Sequence, residues 1–212
     1  MITLKLVETD KSIQGKIKAQ FANFLNLTLR RRTRKIVEEI KGRLPVWLND
    51  SPTIRELSRG TGVGTLGAQF GLYKGTETQA IEAIIDTVVA SMDVEMSPIN
   101  KRTLAGGVSI GIVPATFQDL LNLPEGHVID GDTDLHWLKW LLKEGPRIIV
   151  KEYSYRTKAG AGRSGGGFME KRGFFRVPPE YAGTVEDNFI TKALSGVDKE
   201  REIFTIIQRN LA

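Results

Sequence analysis

The stretch KAGAGRSGGGFMEKRGFFRVPPEYAGTVEDNFITKAL, residues 158–194, decides how this chain is expected to fold. A glycine-rich basic loop lies between two segments with strand-like apolar residues, Arg147–Arg156 before it and the GFFRVP run after it. Two such strands joined by a glycine-rich loop predict a long hairpin with a mobile tip. A helix should come directly after the hairpin, because Thr184 and Asp187 have the spacing of a capping box.

The glycines of this loop also invite a nucleotide-binding interpretation. Gly160, Gly162 and Gly165 match the pattern G-x-G-x-x-G after a strand. The residues after these glycines are strand-like, so no helix N-terminus is available to hold a pyrophosphate. The same pattern within residues 62–67 lies after a helix where a dinucleotide site needs a strand. We therefore predict no dinucleotide site.

Before this stretch, the chain begins with an alternating segment and then a long helix. Ile2, Leu4 and Leu6 alternate with polar residues and predict a half-buried strand, so we expect no secretory leader here. A helix is predicted over about 11–43, ended by Pro45, since proline lacks an amide donor. Its apolar residues recur at steps of three and four and so predict one buried face: Ile13, Ile17, Phe21, Phe24, Leu25, Ile36, Ile40 and Leu44.

The remaining elements alternate between helices and short strands. Periodicity and turn residues along the chain predict a helix from Ser51-Pro52 to about Arg59, a strand over 66–72, a helix over 79–92, strands over 92–96 and 108–113, helices over 115–123 and 134–143, and a C-terminal helical arm over about 197–212. The expected fold class is α+β. We predict a single domain over residues 1–212, with amphipathic helices packed on a mostly antiparallel sheet.

The predicted helix 134–143 is apolar nearly all round and includes Trp137 and Trp140. Such a helix must be covered on more than one side, either by a thick core or by a neighbouring subunit. Asp132 or Asp134 should cap it. A calcium loop starting at Asp130 is disfavoured because leucines occupy the positions that need glycine and glutamate.

The densest charge run of the chain, LRRRTRKI, lies inside the long N-terminal helix. Arg30 with Arg34, and Arg31 with Lys35, are i,i+4 neighbours and form two adjacent basic rows. Such rows suit contact with phosphates. We favour the alternative, in which they form a solvated surface or pair with acidic residues of a neighbouring subunit. No aromatic residues are interleaved, which disfavours single-strand recognition. The net charge of +5 permits a polyanionic partner without requiring one.

The sequence lacks the motifs of common catalytic and metal sites. There are no cysteines, and the two histidines, His127 and His136, do not have the spacing of a metal site. No G-x-S-x-G nucleophile motif and no phosphate loop ending in Gly-Lys-Ser/Thr occurs. We therefore predict no catalytic, cofactor-binding or metal-ligating residues, no cofactor, and a protein that is not an enzyme.

Residues 134–194 nevertheless resemble a known family. The aromatic-rich LHWLKWLLKEG, the strand RIIVKEYSY, the loop GRSGGGFM and the string RVPPEYAGTVEDNFITKAL, in that order, resemble bacteriophage neck proteins, the head–tail joining or tail-completion subunits. The long N-terminal helix with mixed charge also fits that family. The likeness covers about the C-terminal third of the chain and does not extend to residues 44–131.

The resemblance implies an α+β subunit of a homo-oligomeric ring, a hexamer or alternatively a dodecamer, assembled in the host cytoplasm and located in the virion neck. Its expected partners are the head–tail connector or adaptor, a tail terminator or tail tube, and genomic DNA passing through the channel without sequence-specific contacts. The residues expected to contact DNA or a partner are Arg30, Arg31, Arg34, Lys35, Lys158, Arg163, Lys171 and Arg172. Those expected at a subunit interface are Trp137, Trp140, Phe168, Phe174, Ile203 and Ile207.

Other functions remain open at this point. A tail terminator or tail-completion ring protein differs from a neck subunit only in its position. A non-specific DNA-binding module would use the basic face of the N-terminal helix, and an enzyme would need a nucleotide site in a glycine-rich loop.

Overall fold

The computed structural model describes residues 8–112, 116–131 and 133–211. The predicted opening strand of Ile2, Leu4 and Leu6 lies outside these residues, as do the proposed cap Asp132 and the last residue of the C-terminal arm. Within them the α+β class is confirmed: a long N-terminal helix and further helices accompany short antiparallel strand pairs.

The elements succeed one another with short connections. In chain order they are α1 (Asp10–Asn49), α2 (Pro52–Leu57), α3 (Leu66–Gln69), α4 (Thr76–Ala90), β1 (Asp93–Ser97), β2 (Gly107–Gly111), α5 (Gln118–Leu121), a 3-10 turn (Pro124–Gly126), β3 (Val128–Asp130), β4 (Thr133–Leu135), α6 (Trp137–Lys139) continued by a π-helical turn (Trp140–Glu144), β5 (Ile148–Thr157), β6 (Gly167–Arg176), α7 (Phe189–Leu194) and α8 (Val197–Leu211).

Within the described residues the strands all pair antiparallel, but they form three separate two-stranded ribbons, β1–β2, β3–β4 and β5–β6. The predicted long hairpin is β5–β6, which pairs from Ile148 opposite Arg176 to Thr157 opposite Gly167. Its register shifts between Lys151 and Tyr153, where Glu152 has a φ of 68°. This irregularity is a β-bulge, which increases the local twist of the ribbon.

Helix α1 does not end at Pro45, as the sequence predicts, but continues through it to Asn49. A proline inside a helix removes one backbone hydrogen bond and disfavours helix before it. Here Leu44, Trp47 and Leu48, on both sides of the proline, are 3% exposed or less. The apolar burial of this turn offsets the local cost of the proline.

The described residues form two compact units. The first comprises 8–40, 93–111 and 201–211, and the second comprises 41–92 and the described residues of 112–200. Helix α1 contributes its residues up to Ile40 to the first unit and those from Lys41 onward to the second. The single-domain organisation of the chain stays a prediction.

The second unit contains a closed hydrophobic core. Helix α4 buries Ile81, Ile84, Ile85 and Val88 on the face that its periodicity predicts. The π-helical turn and α6 are covered on several sides, and Trp137 lies 5.6 Å from Phe70 between ring centroids. Because α6 and the π-helical turn lie in this core, most of their apolar side chains are buried within the protomer.

In the first unit, the side chain of Asn26 fixes the connection between β1 and β2 to α1. Its amide nitrogen donates to the Ile99 carbonyl at 3.1 Å, and its amide oxygen accepts from the Ile99 backbone N–H at 2.7 Å. These two hydrogen bonds satisfy the backbone N–H and C=O groups of Ile99, which lies in the loop outside both strands. It holds the β1–β2 ribbon against the helix.

Three local predictions are wrong. The alternation of Leu66, Ala68, Phe70 and Leu72 is produced by a helical turn, α3, and the loop after it, because the Thr65 hydroxyl caps the turn by accepting from the Ala68 N–H. All four side chains are buried, so the alternation marks no exposed face.

The two predicted helix caps are also displaced. Asp134 lies in β4, and His136 precedes α6. Thr184 and Asp187 bond to each other in a turn, and α7 is capped instead by Asn188, whose side chain accepts from the N–H groups of Ile190 and Thr191. Asn188 makes a reciprocal capping box with Thr191. Thr184 with Asp187 and Asn188 with Thr191 both have the spacing of a capping box, and only the Asn188–Thr191 pair caps α7.

Candidate functional site

The basic run of α1 is exposed but partly paired along the helix. Arg30 and Arg31 are exposed on the first unit. Arg34 Nε lies 2.9 Å from Glu38 Oε1, and Lys35 Nζ lies 4.0 Å from Glu39 Oε1, both i,i+4 pairs. Exposed pairs of this kind are worth little to stability. The two rows therefore form a surface of mixed charge, which is most positive at Arg30–Arg32.

Glu39 is the point at which α1 meets the end of α8 within the first unit. Its Oε2 accepts from Arg209 at 2.5 Å and from Asn210 Nδ2 at 3.1 Å. The hydrogen bond from Arg209 holds the pKa of this carboxyl below its ordinary value, with Asn210 and Lys35 acting in the same direction. Ile207, a predicted interface residue, is half-buried on the same helix, as is Ile203.

The glycine-rich tip of the β5–β6 hairpin is packed rather than free. A Cβ at Gly166 would lie 2.6 Å from the Gly62 carbonyl oxygen and 2.7 Å from the Ala68 Cβ. The tip is also closed by its own backbone bonds, such as that from the Gly160 N–H to the Gly165 carbonyl at 2.8 Å. The glycines of residues 158–167 and those of residues 60–71 therefore allow two chain segments to approach closely.

Arg163, predicted to contact DNA or a partner, belongs to this packing and is engaged by groups of its own chain. Its Nε donates to the Gly71 carbonyl at 2.8 Å, and its Nη1 forms an ion pair with Asp130 Oδ2 at 2.7 Å. The guanidinium also lies 5.4 Å from the centroid of the Tyr73 ring. With only 23% of the side chain exposed, its charge is used to dock the tip.

The other basic residues predicted on the hairpin, Lys158, Lys171 and Arg172, are exposed. Arg172 lies next to Gly173 near the middle of β6 with a φ of 138°. Lys158 lies just beyond the end of β5. The structure thus distributes these charges along the ribbon and does not gather them with Arg163 at one tip.

The predicted interface residues divide into buried and exposed ones. Trp137 is 0% exposed and its indole N–H donates to the Glu125 carbonyl at 3.0 Å, so it is a core residue and not an interface residue. Trp140 is half-buried against the same core. Phe168 and Phe174, on β6, are 39% and 51% exposed. These two leave apolar surface on the ribbon uncovered.

A surface cavity lies between the packed tip and the base of the β5–β6 ribbon. It is about 270 Å³ in volume, and Tyr155, Arg163, Ser164 and Phe175 are among its lining residues. The Tyr155 hydroxyl is buried, and burial raises its pKa above the ordinary value of tyrosine. A neutral phenol of this kind is a hydrogen-bonding group and not a base at neutral pH.

Sequence reasoning missed a cluster of three metal-ligating side chains. His127, Asp134 and His136 each offer one ligand atom, and the three atoms all lie within 4.8 Å of one another. The only signal in the sequence is the short D-L-H spacing of Asp134 and His136, since His136 directly follows β4 and His127 directly precedes β3. Spacing along the chain alone did not reveal it because β3 and β4 had not been identified.

Comparisons with protein-family models, with curated proteins and with solved structures find no match to this chain. Among the residues that the structure describes, no helix is both long enough and apolar enough to cross a membrane.

Proposed function

We propose that this chain is a structural, ring-forming subunit of a bacteriophage neck, which joins the portal or connector to the tail and surrounds the DNA channel. A tail terminator or tail-completion ring is the same kind of assembly in a neighbouring position. The proposal starts from the resemblance of residues 134–194, and exposed surfaces on α1 and on the β5–β6 ribbon support it.

The observation that carries the proposal is an uncovered apolar stripe on α1. Ile17, Phe21 and Phe24 occupy i, i+4 and i+7 positions on one face of the helix and are 62%, 50% and 62% exposed. Contiguous exposed apolar surface of this kind marks an interaction site. Burial of that surface against a second copy of the chain would contribute about 25 cal/mol per Å² toward association.

The β5–β6 ribbon offers a second surface of the same kind. Phe168 and Phe174 are exposed on it, and within the described residues neither strand pairs with a third. A two-stranded ribbon with free edges is marginal alone and is a template for pairing with another chain. A ring needs two different surfaces on each subunit, one for each neighbour.

The proposal is tested by the size and shape of the purified full-length chain. Light scattering after size-exclusion chromatography should give a closed multiple of the subunit mass, and electron microscopy should show rings. Phe21→Ser with Phe24→Ser should shift the chain to monomer with an unchanged circular dichroism spectrum, because exposed side chains contribute little to the fold of the protomer.

Val63→Ser is the matched control, since Val63 is 52% exposed but lies in a loop outside α1. It should leave the rings intact. A wild-type chain that stays monomeric, rings that survive the double substitution, or a labelled chain located in virions away from the neck would contradict the proposal.

One observation favours a DNA-binding role as the second candidate. Arg30, Arg31 and Arg32 are exposed and form no ion pair with any residue of the described chain. Arg31→Ala with Arg34→Ala should then weaken binding to duplex DNA at every sequence and lower the salt slope by about 2. Arg55→Ala with Arg59→Ala removes the same charge from α2 and the loop after it, and serves as control. If the first pair leaves DNA binding intact but abolishes rings, the basic run is a subunit interface.

A further inference from the structure

The β3–β4 hairpin brings two imidazoles and a carboxylate together, with one ligand atom of each within 4.8 Å of the others. Val128 pairs with Leu135 in this ribbon, so His127 and His136 are the next residues outward on the two strands. Their rings lie 3.8 Å apart between centroids, with planes inclined by 49°. Asp134 lies in β4, two residues before His136.

The carboxylate of Asp134 contacts one nitrogen of each ring. Its Oδ1 and Oδ2 are 3.1 Å and 3.2 Å from His127 Nδ1, and its Oδ2 is 3.1 Å from His136 Nε2. Ligand atoms about 3.3 Å apart are what a tetrahedral ion with bonds of about 2.0 Å requires. The nitrogen–oxygen distances are therefore already near those of a metal site, and all three ligand atoms lie within 4.8 Å of one another.

Both ring nitrogens of His127 also face oxygen acceptors. Nε2 lies 3.2 Å from the Leu121 carbonyl oxygen, which can only accept, so Nε2 carries a proton. In the neutral ring Nδ1 is then unprotonated, and its lone pair points at the carboxylate of Asp134. Two electron pairs in that arrangement repel unless a positive species lies between them.

A metal ligand has this environment. Histidine ligands commonly donate their second ring N–H to a backbone carbonyl, which selects the tautomer and orients the ring. The Leu121 carbonyl, at the end of α5, provides that contact for His127. His127 is also the most enclosed of the three ligands, with 20% of its side chain exposed against 45% for Asp134 and 46% for His136.

We propose that His127, Asp134 and His136 bind a divalent first-row transition ion of the zinc class, through Nδ1, a carboxylate oxygen and Nε2 respectively. Two imidazoles and one carboxylate suit Zn²⁺ better than Mg²⁺ or Ca²⁺, which prefer oxygen ligands alone. Three protein ligands leave a coordination position for water or for a group from another molecule. The site lies within the second unit and does not depend on the function proposed above.

A protonated His127 is the competing explanation, since an imidazolium donates from both nitrogens and satisfies the same two acceptors. The two explanations predict different nitrogen states. Bound Zn²⁺ should shift the ¹⁵N signals of Nδ1 in His127 and Nε2 in His136, while Nε2 of His127 keeps its proton. The chain has only two histidines and no cysteine, so in untagged protein the assignment is direct.

The experiment is titration of metal-free, untagged full-length protein with Zn²⁺, monitored by calorimetry and by long-range ¹H–¹⁵N spectra of histidine-labelled protein. We expect one ion per chain. Asp134→Asn and His136→Gln should each weaken binding at least about tenfold. Both side chains are nearly half exposed, so these variants should retain the circular dichroism spectrum of the wild type.

Asp119→Asn is the matched control, because Asp119 is an exposed carboxylate of the same unit on α5. It should bind Zn²⁺ as the wild type does. Unchanged ¹⁵N shifts of both rings on addition of Zn²⁺ would overturn the proposal and assign the cluster to a protonated histidine–aspartate pair. Equal affinity in the wild type and in the Asp134 and His136 variants would also overturn it.

Discussion

The apolar stripe of α1 and the glycine-rich hairpin tip behave in opposite ways. Ile17, Phe21 and Phe24 are apolar and yet at least half exposed, whereas Ser164 and Gly166, in a polar glycine-rich loop, are buried. The difference lies in what faces each segment. The tip meets a second glycine-rich segment with a complementary backbone, whereas no such counterpart covers the stripe among the described residues of its own unit. Burial is decided by the presence of a fitting partner as well as by hydrophobicity.

The largest effect is expected along α1 itself. Leu44→Ala should lower the free energy of unfolding by about 2–5 kcal/mol, because Leu44 is fully buried and its removal leaves a cavity. Phe24→Ala, on the exposed part of the same helix, should change the stability of the monomer by no more than about 0.5 kcal/mol. Urea denaturation of both variants measures the difference. A Phe24 variant as unstable as the Leu44 variant would mean that the stripe is covered within the protomer.

The packed tip is tested by adding one methyl group. Gly166→Ala should destabilise the protein by about 1–3 kcal/mol, because the new Cβ would overlap the Gly62 and Thr61 carbonyl oxygens. Gly42→Ala is the control in a helix, where nothing lies within 4 Å of the added Cβ. That change should stabilise the protein by up to about 1 kcal/mol, through helix propensity. Thermal unfolding of the two variants should therefore shift in opposite directions, and a neutral Gly166 variant would show that the tip is not packed.

A smaller difference in stability is expected between substitutions of two basic residues of the hairpin, Arg163 and Lys158. Arg163→Ala should lower the free energy of unfolding by about 1–2 kcal/mol, since it removes the hydrogen bond to the Gly71 carbonyl and the ion pair with Asp130. Lys158→Ala, at an exposed position, should lie within about 0.5 kcal/mol of the wild type. Chemical denaturation measures both changes. If the Lys158 variant proves the less stable of the two, the docking role of Arg163 is wrong.

The smallest effect concerns the junction of Glu39 with Arg209. The pKa of Glu39 lies below its ordinary value because of this hydrogen bond, so the bond stabilises the folded state above the unfolded pKa near 4.5. That contribution is lost as the pH falls through the lower folded pKa. A ¹³C carboxyl titration should show the depressed value in the wild type and a return toward the ordinary value in Arg209→Ala. An unchanged titration in the variant would remove Arg209 as the cause.

Much of the secondary structure could be predicted because it depends on neighbours in sequence. The period of α4 and the glycine-rich turn between β5 and β6 were readable from the chain, as was the cap of α2 by Ser51. The cap of α7 was misplaced by four residues because Thr184 and Asn188 both begin a pattern of the right spacing. The buried Asn188, at 1% exposure, makes the reciprocal capping box of α7, whereas Thr184 and Asp187 bond to each other in the preceding turn.

The candidate sites were less predictable, since each depends on residues distant in the chain. Arg163 was identified as a surface cation, but Gly71 and Asp130 are its partners only in the fold. The proximity of His127 and His136 could not be predicted, because their spacing in the sequence matches no metal-ligand motif. The β3–β4 pairing brings them together.

The sequence by itself determined the α+β class, the long first helix and the glycine-rich hairpin, because periodicity and turn chemistry act over a few residues. Only the tertiary structure decided that α1 continues through Pro45, that the tip is docked, that Trp137 is core, and that two histidines share one carboxylate. Each of those outcomes depends on contacts between segments far apart in the chain, whose free energy outweighs or selects among the local preferences.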